Sequence, residues 1–184
     1  MIKNINDINI SVAIAIFNEE KKIIDLLDSL YDQTIKPYEI IISDGGSTDK
    51  TLSLIKKYIN QKQSFAIKIK ILGRKGKCRG AGRNTAIHHC KKEHIALIDS
   101  GHIADKKWIE GFASIIIKNP NVKYIHGCVK PNTNSYFNKL LSCFILGNKK
   151  HSGKMVYTVA SLLITKKLWE QIGKFKESTN GSYV

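Results

Sequence analysis

"EIIISDGGSTDKTL", residues 39–52, runs three isoleucines into an aspartate, turns on two glycines and resumes as an amphipathic segment. An unbroken row of β-branched residues suits a strand covered on both faces. A carboxylate cannot stay unpaired inside such a core, so Asp44 marks the point where the strand reaches an exposed edge. Gly45 and Gly46 permit a tight turn, and Ser47 or Thr48 is placed to cap a helix with Leu52, Ile55 and Ile59 on its inner face. Two roles are open to Asp44 at this point, a brace for the turn or a ligand-binding group delivered to the sheet edge.

Working outward, "ISVAIAIF" (Ile10 to Phe17) reads as a central strand, and the segment after it places Ile23, Ile24, Leu27, Leu30 and Tyr31 at helical spacing. "YEIIIS" is the second strand and Asp49 to Ile59 the second helix. "FAIKIKIL" is a third strand, whose Lys68 and Lys70 alternate with isoleucines as on a half-solvated edge. A helix over Asn84 to Lys91 precedes the strand "HIALID", and a helix over Lys106 to Ile117 precedes a fifth strand, "VKYIHG".

Such alternation predicts an α/β fold, a mainly parallel sheet with helices on both faces. With the strand order 3-2-1-4, the reversal falls between strands one and four, where ligands of such sheets bind beyond the carboxyl ends. Asn18, Glu19, Asp44 and Asp99 end or follow strands one, two and four, and converge on that crevice. Turn chemistry alone does not account for polar groups delivered to one edge by separate strands, which favours the functional role for Asp44.

The 184 residues, 42% hydrophobic and 24% charged, suit a single domain spanning 1–184. No apolar run approaches the roughly 20 residues that cross a bilayer, and "MIKNINDINI" lacks a signal-peptide pattern, so a cytoplasmic location is expected. Cys78, Cys90, Cys128 and Cys143 are scattered without a CxxC pair, as free thiols in a reducing compartment would be. "HHC" (His88 to Cys90) with His94 lacks the second pair a structural zinc site needs. The net charge of +15 favours anionic company, such as nucleotides, lipid phosphates or an anionic membrane surface, beside its ordinary reading as a solvated lysine-rich face. For nucleic acid there is charge alone, without interleaved aromatics or a recognition motif.

Four ordered blocks carry a specific resemblance: "VAIAIFNEEKKIIDLLDSLYDQTIKPYEIIISDGGSTDKTL", "GAGRNTAI", "IALIDSGHIADKKWIEGF" and "ASLLITKKLWEQIGKF". Together they resemble the signatures of family 2 inverting glycosyltransferases, which have the Rossmann-like GT-A fold, from about Ser11 to Glu177. The resemblance implies transfer of a sugar, with inversion, from a nucleoside-diphosphate donor, commonly a UDP-sugar, to a saccharide or lipid-linked acceptor. It also implies a place in polysaccharide biosynthesis for the cell envelope, at the inner membrane face. The alternative is a non-catalytic module that keeps the nucleotide-sugar pocket.

On this resemblance Asp44 accepts the N–H of a uracil-like base, while Phe17, Asn18 and Glu19 wall the base and ribose; Glu19 also reads as an ordinary first-turn helix residue. "GRKGKCRGAGR" offers Arg74, Lys75, Lys77, Arg79 and Arg83 to the diphosphate, with Arg83 of the "GRN" block the preferred contact. Asp99 stands where the family carries an Asp-x-Asp motif that holds Mg²⁺ or Mn²⁺. Here the motif reads "DSGH", with Gly101 in place of the second aspartate; His102 reads as a satisfied, exposed histidine and Asp105 as the N-cap of the Trp108 helix. In the family an acidic pair after the "GxF" block supplies the general base. This sequence ends before such a pair, as a C-terminally truncated domain would, and Glu177, the last acidic residue, reads first as a structural or acceptor-side residue and only second as a candidate for that base.

Overall fold

The structure, a computed structural model, describes residues 4–62, 67–73, 76, 78–129 and 160–177. Its strands are β1 (Ile10–Ile16), β2 (Glu39–Asp44), β3 (Lys68–Gly73), β4 (His94–Ile98), β5 (Tyr124–His126) and β6 (Ser161–Thr165). Its helices are α1 (Ile23–Tyr31), α2 (Thr51–Gln61), α3 (Arg79–His89), α4 (Trp108–Lys118) and α5 (Lys166–Gln171), with a short 3₁₀ turn at Ile5–Asp7.

The strands form one six-stranded sheet in the order β3-β2-β1-β4-β6-β5. β1, β2, β3 and β4 run parallel, so the expected 3-2-1-4 arrangement holds, with β1 facing β2 from Ser11↔Glu39 to Ile16↔Asp44. Successive strand residues point to opposite faces. Val12, Ile14, Ile16, Ile40 and Ile42 therefore pack under α1, α2 and α4 in one core. Ala13, Ile41, Ile95 and Leu97 pack with Ala86 and Ile87 of α3 and with Trp169 of α5 in a second core on the other face.

The sheet departs from the expected strand set at β6, which lies antiparallel between β4 and β5. Its sequence passes into α5 without a loop: Thr165 ends the strand and also caps the helix, its hydroxyl accepting from the Leu168 amide. A side-chain pattern that changes period without punctuation hides the strand. At the same junction, a Cβ on Gly127 would stand 1.9 Å from Ser161 Oγ, so only glycine lets the chain leaving β5 pass so close to β6.

Two expected helix caps differ as well. α2 begins at Thr51, not Asp49, and neither Ser47 nor Thr48 caps it, because both side chains face the loop after β1. Asp105 Oδ1 accepts from the Lys107 amide at 2.9 Å and so braces the turn before α4, whose N-cap is Lys107.

Candidate functional site

The carboxyl ends of β1 and β2 are tied into one unit by their loops. Asp44, 2% exposed, accepts from the Gly46 amide at 3.0 Å, the Ser47 amide at 3.0 Å and the Ser47 hydroxyl at 2.5 Å. Ser47 Oγ in turn accepts from the Asn18 amide at 2.9 Å, and Asn18 Oδ1 accepts from the Thr48 amide at 2.9 Å. Asn18 itself sits at φ 53°, a left-handed conformation that asparagine tolerates better than most residues.

One step further along both loops, the Glu19 amide donates to Thr51 Oγ1 at 2.8 Å and the Glu20 amide to Asp49 Oδ2 at 3.1 Å. Burial alone would raise the Asp49 carboxyl, but the hydrogen bonds it accepts from Thr51 and Glu20 outweigh burial and hold it below its ordinary value.

The end of β4 joins the same edge. Ser100 Oγ donates to Glu19 Oε1 at 2.7 Å, linking the loop after β4 to the loop after β1. Arg83 of α3 donates from Nη2 to Asp99 Oδ1 at 2.6 Å, with the Arg83 side chain 12% and the Asp99 side chain 32% exposed. The guanidinium also lies 5.7 Å from the centre of the Phe175 ring. Asn18, Glu19, Asp44, Arg83 and Asp99 thus belong to one connected edge, and Phe17, half-buried, follows β1 directly into it. Arg79 opens α3 and is exposed, while Arg74, Lys75 and Lys77 lie outside the described residues.

Glu177 is fastened to α3. Its Oε1 accepts from Asn84 Nδ2 at 2.7 Å, and the same nitrogen donates to the Phe175 carbonyl at 2.9 Å. Asn84 Oδ1 accepts from Trp169 Nε1 at 3.1 Å and from the Phe175 amide at 2.9 Å. All the hydrogen-bonding capacity of this buried amide is therefore used. The segment can come so close because residue 80 is glycine: a Cβ there would stand 2.0 Å from the Lys176 carbonyl oxygen.

Sequence reasoning passed over Asn84, although it follows Arg83 in the "GRN" block, because a polar residue on a helix gives no sign of whether its face is buried. His102 also differs from expectation. It is half-buried, and its Nδ1 is buried with no hydrogen-bond partner among the described residues.

For the divalent cation expected at Asp99, the described side chains supply little. The Asp99 carboxylate is already paired with Arg83, and position 101 has no side chain. A Cβ built on Gly101 would stand 3.8 Å from the Lys22 ammonium. Among the described residues no three His, Cys, Asp or Glu side chains are grouped to hold a metal. These residues do not by themselves make a divalent-cation donor set.

Two hollows lie apart from the Asp44 and Asp99 carboxylates: one of about 670 Å³ lined by Ser29, Gln33, Lys36 and Lys106 among others, and one of about 240 Å³ beside α3 lined by Asn84, His88, Trp169, Lys174 and Glu177 among others.

A GT-A arrangement with polar strand ends gathered at the reversal between β1 and β4 defines the class of protein, and sequence comparison supplies the family. Residues 11–176 match the family model for glycosyl transferase family 2, and the chain belongs to that family. A poly(ribitol-phosphate) beta-glucosyltransferase of Bacillus spizizenii is 37% identical over 93 residues, which are 50% of this chain and 14% of that protein. Among solved structures, S. aureus TarS 1–349 in complex with UDP superimposes with a TM-score of 0.63 at 22% identity, over 92% of this chain and 51% of that one. The mannosyltransferase PcManGT of Pyrobaculum calidifontis, solved with GDP-Man and Mn²⁺, gives a TM-score of 0.65 at 21% identity, over 92% of this chain and 48% of that one. The chain therefore spans about half the length of these structures and a smaller share of the curated relative. Among the described residues no helix is long and apolar enough to cross a membrane.

Proposed function

We propose that the chain is a glycosyltransferase domain that takes a nucleoside-diphosphate sugar, a UDP-sugar in the first instance, at the carboxyl ends of β1, β2 and β4. The sugar passes with inversion to a saccharide or lipid-linked acceptor. The observation that carries this reading is the Asp44 carboxylate. Its own loop holds it still at the strand end, through the Gly46 amide, the Ser47 amide, which reaches both of its oxygens, and the Ser47 hydroxyl. A base N–H arriving at the sheet edge would meet a carboxylate whose orientation is already fixed.

In this reading Phe17 walls that base, with Asn18 and Glu19 shaping the ribose side. Arg83 keeps further N–H donors for the diphosphate while it orients Asp99. Asp99, held by Arg83, borders the diphosphate in this reading. Glu177, held by Asn84, is a positioning residue on the acceptor side in this reading and not the general base.

The UDP complex of TarS and the activity named for the Bacillus relative support a UDP-sugar donor and a phosphate-rich polymer acceptor. The net charge of +15 suits such an acceptor, and it suits work on envelope polysaccharide at the cytoplasmic face of an anionic membrane.

The test is a melting screen with UDP, GDP, TDP and CDP. At about 100 times its dissociation constant, the bound diphosphate should add roughly 2.7 kcal/mol and raise the melting temperature by roughly 5 to 11 °C. Asp44→Ala should remove the shift. No shift with any of the four would contradict the reading.

A further inference from the structure

The position that lacks a carboxylate is not empty of charge. Gly101 is exposed near the start of the loop that follows β4, and a Cβ there would stand 3.8 Å from Lys22 Nζ. Lys22 is the N-cap of α1, fixed by its amide donating to the Glu19 carbonyl at 3.0 Å and by its carbonyl accepting from the Leu26 amide at 3.1 Å. Its side chain has no carboxylate within ion-pair distance among the described residues. The nearby acidic groups are engaged elsewhere, Glu19 with Ser100 and Asp99 with Arg83. An ammonium with three donors therefore stands beside the place where an aspartate would have pointed at a metal.

We infer that Lys22 is a diphosphate-binding residue, and that its ammonium supplies the positive charge that a divalent cation supplies where a second carboxylate is present. The inference rests on the donor site proposed above. It follows that a nucleoside diphosphate binds this chain without metal. An ammonium is a compact point charge and an ordinary partner for phosphate oxygens. It would also repel a divalent cation brought to the same spot, which makes the lysine and the metal competitors for one task. The absence of a side chain at 101 keeps the lysine available, since an aspartate there would pair with it.

The experiment is calorimetry of UDP binding to the full chain in EDTA and in Mn²⁺, for the wild type, Lys22→Ala, Lys22→Arg and Gly101→Asp, with melting curves confirming that each variant folds. The wild-type dissociation constant should agree within about threefold between the two conditions. Lys22→Ala should weaken binding in EDTA by roughly tenfold or more, and Lys22→Arg should recover most of that loss. Gly101→Asp should weaken binding in EDTA by pairing with Lys22. A wild type that binds UDP only with Mn²⁺, or a Lys22→Ala variant equal to wild type in EDTA, would overturn the role of Lys22. If no diphosphate binds under either condition, the donor site fails, and the role of Lys22 fails with it.

Discussion

Arg83 donates to the Asp99 carboxylate at 2.6 Å, and the pair joins helix α3 to the end of β4 at the reversal point of the sheet. The arginine is the more buried partner, so removing it and removing the aspartate are not equivalent. Arg83→Ala leaves a carboxylate that is one-third exposed and can be solvated, and should cost about 1 to 2 kcal/mol in urea denaturation. Arg83→Lys keeps the charge but loses the planar fork and the contact with Phe175. It should stay within about 1 kcal/mol of wild type. Both variants should bind UDP more weakly, the alanine by roughly tenfold, as titration calorimetry would show.

Asn84 and Gly80 together hold the segment at 175–177 on α3, by a saturated amide and by the lack of a side chain. Asn84→Ala would leave buried groups of Trp169 and Phe175 unpaired. The expected loss is about 2 kcal/mol, or roughly 4 to 8 °C in melting temperature. Gly80→Ala should also destabilise, against helix propensity, because the new Cβ would meet the Lys176 carbonyl oxygen at 2.0 Å. Gly111 in α4 is the control, since nothing lies within 4 Å of a Cβ there; Gly111→Ala should stabilise by about 1 kcal/mol. Equal effects at the two glycines would refute the close approach.

Burial first, and then the charge of Glu39, pushes the Cys90 thiol up from its ordinary 9.0 to about 12. Its folded value lies above its unfolded value, so its contribution is complete below about pH 9 and is lost as pH rises toward 12. Between those limits the wild type should lose up to about 1.4 kcal/mol per pH unit from this group. Cys90→Ala should show a shallower decline. Some slope will remain in the variant, because burial and the Asp28 partner also raise Tyr58. Stability measured by urea denaturation across pH 8 to 10.5 checks this, and identical slopes in the two proteins would remove Cys90 as the cause.

Most of the sheet was legible because its strands are apolar runs with polar ends and its helices carry clear inner faces. Asn18, Glu19, Asp44 and Asp99 could be placed on one edge for the same reason, since strand order fixes where strand ends fall, whereas Arg83, on α3, was named only through the family-like "GRN" block. What stayed hidden depends on contacts remote in sequence. β6 pairs with β4 and β5 from beyond a long intervening segment and runs directly into α5. Ser47 and Thr48 look like helix caps in the local sequence, yet both bond to Asn18, and Ser47 also donates to Asp44. Lys22 reads as one surface lysine among many, and only the fold sets its ammonium beside Gly101.

The most direct test of the account is a crystal structure of this chain with UDP. The uracil should lie against Phe17 with a base N–H on the Asp44 carboxylate, and the diphosphate should reach toward Lys22, Arg83 and Asp99 beyond the ends of β1 and β4. UDP seated instead in the hollow lined by Ser29, Gln33, Lys36 and Lys106, or with its base away from Asp44, would contradict it.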